Sequence, residues 1–141
     1  MNARFVPLDH EALLQISGPD TLTFLQGQST FDTGQLTAES ALPCLFCNPQ
    51  GRTLADFLLV RHDDDTVLLL LRRSIAAQTA ETLGKYIAFS KATLNEAGHA
   101  WRAFGLWGDG AAEVAARHFG ARPGARYAAT AGDGFVLVQL D

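Results

Sequence analysis

The chain has 141 residues, 48% hydrophobic and 18% charged, and its 11 basic against 15 acidic side chains leave a formal charge of -4. That content suits one globular domain with ample core and excludes a disordered or fibrous chain. The longest apolar run, Val67 to Leu71, is far short of the roughly 20 residues of a bilayer crossing, two cysteines cannot staple a scaffold, and the acid excess argues against a direct nucleic-acid binder, so a cytoplasmic protein without membrane contact is expected.

Ala12 to Ser17 alternates as a strand, with Leu14 and Ile16 on one side. Gly18-Pro19-Asp20 then opens a short helix in which Leu22 and Leu25 share a face and Asp20 complements the dipole. Leu42 to Cys47 and Thr53 to Val60 read as strands joined by the turn Asn48-Pro49-Gln50-Gly51. His62-Asp63-Asp64-Asp65 turns the chain into a strand over Thr66 to Leu71. Ser74 is the expected N-cap of a helix reaching about Ala88, with Ile75, Ala80, Leu83 and Ile87 inward. Lys91 to Asn95 returns as another strand.

The following segment repeats that opening in outline: a strand at Ala103 to Trp107, a helix start at Gly108-Asp109-Gly110, and a helix over Ala111 to Phe119 ended by Gly120. Tyr127 to Thr130 and Phe135 to Leu140 flank Gly132-Asp133-Gly134 as a hairpin. The pattern predicts an α+β fold, with a first unit over about 8–97 and the start of a second over about 100–141 that lacks its closing helix and strand. Phe135 to Leu140 suits a strand covered on both faces, so a shortened chain able to self-associate through an apolar edge is expected.

Cys44 and Cys47 have Cys-x-x-Cys spacing, but on a strand positions three apart face opposite ways, so buried structural thiols are expected and no metal site. The four histidines lack ligand spacing, and no glycine-rich phosphate loop or nucleophilic triad is present. Asp56 stands out, because it interrupts Leu54, Ala55, Phe57, Leu58, Leu59 and Val60, a run that looks buried on both faces. A carboxylate there needs a partner or a function. One reading is a cross-strand ion pair, since a turn centred on Asp63 and Asp64 puts Leu71 opposite Asp56 and Arg73 on the diagonal. The other is a carboxylate facing a ligand in an apolar pocket. Lys85-Tyr86 and Phe89-Ser90-Lys91 read as a solvated helix end.

Taken together, Ile16-Ser-Gly-Pro-Asp20, Phe24-Leu-Gln-Gly-Gln28, Asp32, Cys47-Asn-Pro-Gln-Gly-Arg52, Arg72-Arg-Ser74 and Lys85-Tyr-Ile-Ala-Phe-Ser-Lys91 resemble the N-terminal part of the YgfZ folate-binding proteins, relatives of the aminomethyltransferase T-protein of glycine cleavage. The match is collinear from about Leu8 to Leu94. The resemblance implies ferredoxin-like repeats with antiparallel or mixed sheets and flanking helices, the second repeat incomplete and the family's C-terminal part absent. It implies tetrahydrofolate as cofactor and a role in maintaining iron-sulfur clusters of enzymes, including one that modifies tRNA. The family's functional cysteine lies in a motif that this sequence does not contain. Collinear matching puts Asp56 at the carboxylate beside the folate, with Leu58, Val60 and Leu70 as wall residues and Arg52, Arg72 or Lys91 as the cation for its tail. A folate-dependent aminomethyltransferase and an RNA- or protein-binding module using Arg52, Arg72, Arg73, Lys85 and Lys91 are the alternatives.

Overall fold

The computed structural model describes residues 2–28, 32–48, 50–120 and 124–140. In chain order its elements are β1 (Arg4–Pro7), β2 (Glu11–Ser17), α1 (Thr21–Gln28), a 3-10 turn (Thr33–Gln35), β3 (Leu42–Cys47), β4 (Thr53–Asp63), β5 (Thr66–Arg72), α2 (Arg73–Ile87), β6 (Thr93–Glu96), β7 (Phe104–Trp107), α3 (Ala111–Phe119), β8 (Ala129–Gly132) and β9 (Phe135–Val138). The expected α+β class holds, and every strand pair is antiparallel.

Five strands form the main sheet in the order β3-β4-β5-β2-β6. β2 and β4 therefore run the same way with β5 between them, a split β-α-β arrangement that α2 and β6 then repeat. Alternation along the strands sends Leu14, Ile16, Phe46, Leu59, Leu69 and Leu71 to one face, where they join Leu25 of α1 and Leu83 of α2 in the main core. Burying one such side chain contributes roughly 1.5–3 kcal/mol, so this face carries most of the fold. The opposite face has a smaller core at one end: Val60, Leu68, Ala41 and Ala97, with Trp101, Tyr127, Val136 and Val138 against it.

Several boundaries differ from the sequence reading for tertiary reasons. α1 starts at Thr21, whose buried hydroxyl donates to the Gly18 and Asp65 carbonyls at 2.8 and 3.1 Å. The Asp20 carboxylate accepts the Lys91 N–H at 2.9 Å instead of sitting in the first turn of α1, and this delays the last strand of the sheet to Thr93. Ser74 does not cap α2. The helix begins at Arg73, directly from β5 without a side-chain cap, and the Arg73 N–H finds the His10 carbonyl at 2.8 Å.

β4 runs on to Asp63, whose pairing with Thr66 centres the turn on Asp64 and Asp65, and a register irregularity between Arg61 and Asp63 leaves the β4–β5 pairing beyond it one residue from that expected. β1, which no sequence signal suggested, pairs with β7. α3 occupies the expected residues, and Gly120 ends it in the left-handed region at φ 67°. The final hairpin closes on Asp133-Gly134, with Gly134 at φ 80°. β9 is half-buried throughout and Leu140 is exposed, so this segment is not covered on both faces as expected. Tyr127 and Ala128 lie outside β8: the Tyr127 carbonyl accepts the Ala41 N–H, and Ala128 forms an isolated bridge with Ser40 while its own N–H donates to the Ala125 carbonyl. Of the expected turn Asn48 to Gly51, Pro49 lies outside the described residues; the Asn48 side chain accepts the Gln50 and Arg52 N–H groups at 3.0 and 2.9 Å.

Candidate functional site

On the sheet face away from α1 and α2, the register builds two rows. Leu13 pairs with Leu70, Leu70 with Leu58, and Leu58 with Pro43, which lays apolar side chains across four strands. The adjacent row begins with the pair Glu11 and Arg72 and ends with the pair Asp56 and Leu45. Charge therefore sits beside an apolar floor.

An open cleft of about 560 Å³ lies over these rows, lined by Glu11, Pro43, Leu45, Asp56, Leu58, Leu70, Arg72, Tyr127 and Leu140, with Cys44, Phe57 and Leu71 at its base. Asp56 is exposed to it and, among the described residues, makes no ion pair. The strand is thus not buried on both faces as the sequence suggested, and the carboxylate meets solvent in the cleft.

The expected ion pair with Arg73 is not made, and among the described residues none forms at Asp56. The turn is centred on Asp64 and Asp65, so Leu71 is not opposite Asp56, and continuing the Leu58–Leu70 register beyond the irregularity brings Arg72 there. Arg73 is committed elsewhere, donating to the Asp9 and Glu11 carbonyls at 2.9 and 2.8 Å.

Of the candidate residues, Asp56, Leu58, Leu70 and Arg72 come together in this cleft. Val60 does not. It is buried in the smaller core, one row further along the same face. Neither Arg52 nor Lys91 lines the cleft. The sequence reading missed Glu11, whose period-two spacing from Leu13 was the available signal, and Tyr127, which comes from a distant segment and carried no local signal. Cys44 is in the main core and Cys47 on the other face of β3, its Sγ 4.0 Å from the Thr53 hydroxyl, so no disulfide joins them. No group of potential metal ligands exists among the described residues, and no helix of the structure is long and apolar enough to cross a membrane.

The arrangement suits a ligand that is part planar and apolar, part hydrogen-bonding and charged: two carboxylates and one guanidinium bracket a leucine floor.

The chain is 32% identical over 135 residues to the tRNA-modifying protein YgfZ of Pectobacterium carotovorum subsp. carotovorum (strain PC1), covering 96% of this chain and 40% of that protein. It is 30% identical over 138 residues to the protein of the same name in Pectobacterium atrosepticum, covering 98% of this chain and 41% of that one. The chain thus spans about 40% of the length of these relatives. Among solved structures, the glycine cleavage system aminomethyltransferase T from Bartonella henselae superposes with a TM-score of 0.76 at 20% identity, over 90% of this chain and 35% of that one, which shows the shared fold. Residues 3–126 match the GCVT N-terminal domain, and the chain belongs to that family.

Proposed function

We propose that this chain is a tetrahydrofolate-binding domain that supports iron-sulfur cluster assembly or repair and, through it, tRNA modification. The observation that carries the proposal is Asp56, a carboxylate without an ion-pair partner among the described residues, set on an open cleft beside Leu58 and Leu70. Similarity to proteins named as tRNA-modifying supports the wider role. Its partners would then be folate and iron-sulfur enzymes. In this reading about 8–97 is a first ferredoxin-like unit, and about 100–141 is the beginning of a second.

The residues present fit the cofactor. The cleft, at about 560 Å³, has the size of a small-molecule site. Leu58 and Leu70 would pack against the fused ring, Asp56 would accept its N–H groups, and Arg72 would take a carboxylate of the glutamate tail. When bound, tetrahydrofolate supplies the ring N5 and the bridging N10 that carry a one-carbon unit.

Calorimetric titration of tetrahydrofolate into the chain and its Asp56→Ala variant tests this. The expected result is binding by the parent and a loss of roughly tenfold or more in the variant, since a hydrogen bond to a charged group contributes about 1.5–3 kcal/mol. Equal affinity would remove Asp56 from the site, and no binding by the parent would overturn the proposal. Formation of methylenetetrahydrofolate from an aminomethylated carrier protein would identify an aminomethyltransferase instead.

A further inference from the structure

Tyr127 is the one non-glycine residue with positive φ among the described residues, at 68°. An aromatic residue rarely adopts the left-handed region, because its Cβ crowds the backbone there, and glycine would take the same conformation without that cost. Such a residue persists only where its surroundings over-determine it.

Here both of its backbone groups are held. The Tyr127 N–H donates to the Gln139 carbonyl, and its own carbonyl accepts the Ala41 N–H at 2.8 Å. The turn is thus clamped between the chain leaving β9 and the segment entering β3. The side chain is held as well. The Arg126 guanidinium lies 5.0 Å from the ring centroid, and Arg126 Nε donates to the Leu140 carbonyl at 3.0 Å. Tyr127 and Leu140 both line the cleft, as do Pro43 and Leu58.

The ring also touches the smaller core, yet it is only half-buried and borders the cleft. Packing alone does not call for an aromatic residue in a conformation suited to glycine. We propose that Tyr127 is a ring-stacking residue of this site, carried in from the last segment of the chain to lie against a planar heteroaromatic ligand bound over Leu58 and Leu70. The inference rests on the folate reading of the cleft and names the residue that selects for a flat ring. With a cation on one side, the ring is held in place before the ligand arrives, which lowers the ordering cost of stacking.

The test is calorimetric titration of 5-formyltetrahydrofolate into the parent chain and into Tyr127→Phe, Tyr127→Leu and Tyr127→Gly, with a thermal melt of each. The expected result is unchanged affinity in Tyr127→Phe and a loss of roughly tenfold in Tyr127→Leu and Tyr127→Gly, the scale of a stacking contact. Tyr127→Gly accepts the left-handed backbone without strain, so it decides the matter if Tyr127→Leu fails to fold. Parent-like binding by a folded Tyr127→Leu or Tyr127→Gly would overturn the role of Tyr127 while leaving the folate reading standing. Absence of binding by the parent would overturn both.

Discussion

Leu58 faces Leu70 as the last ladder pair between β4 and β5 on the cleft side, and the same register carried two residues further brings Asp56 to Arg72. Arg72 also pairs with Glu11 across β2 and β5. One guanidinium therefore sits in a row between two carboxylates, at the edge of an apolar floor.

Arg72 is exposed, so Arg72→Met should leave the melting temperature nearly unchanged, within the roughly 0.5 kcal/mol typical of surface positions. Tetrahydrofolate binding should weaken roughly tenfold, and the remaining affinity should respond less to added salt than that of the parent. Identical affinity and salt response in parent and variant would exclude Arg72 as the tail-binding cation.

Gly18→Ala should destabilise the fold by at least about 2 kcal/mol in a denaturant titration. Gly18 has φ 127°, and a Cβ there would lie 2.5 Å from the Lys91 carbonyl oxygen and 2.9 Å from the Ala92 Cα. Backbone, not a flexible side chain, is in the way. Gly84→Ala, in α2 with nothing within 4 Å of the added carbon, should instead stabilise by about 0.5–1 kcal/mol.

Leu83 on α2 is 0% exposed in the main core, whereas Leu54 on β4 is 42% exposed. Leu83→Ala should cost about 2–5 kcal/mol by leaving a cavity. Leu54→Ala should stay within about 0.5 kcal/mol. Comparable losses from both would mean that the face of β4 carrying Leu54 is covered in solution.

Burial works against ionisation of Asp63, but the Asp65 amide and the Thr66 hydroxyl, with His62 nearby, outweigh it and hold the carboxyl below its ordinary pKa. A depressed folded value means stability that is present above the unfolded pKa, about 3.9, and is lost as pH falls through the folded one. Asp63→Asn should therefore melt below the parent at pH 7, with the gap closing at pH values under about 4. A gap that is constant from pH 7 to 3 would show that the charge contributes nothing.

Much of the architecture was legible in the chain alone, because hydrophobic periodicity is a local property. The strand over Leu42–Cys47 and the helix over Ala111–Phe119 have the expected ends, since both are bounded by residues whose conformational preferences act within a turn. The peculiarity of Asp56 was equally local: one charge in an apolar run needs no neighbours to be noticed. What tertiary structure decided was pairing. The N-cap of α2 is Arg72 and not Ser74, and the Arg73 N–H finds its partner across the chain in the His10 carbonyl. β1 found its mate in β7, a hundred residues away, and an irregularity beside Arg61 chose which arginine stands near Asp56. Tyr127 reached the cleft only through bonds to Ala41 and Gln139. Side-chain preference acts over a few residues, whereas register and the meeting of distant segments depend on how strands close against one another in space, and no local pattern encodes that.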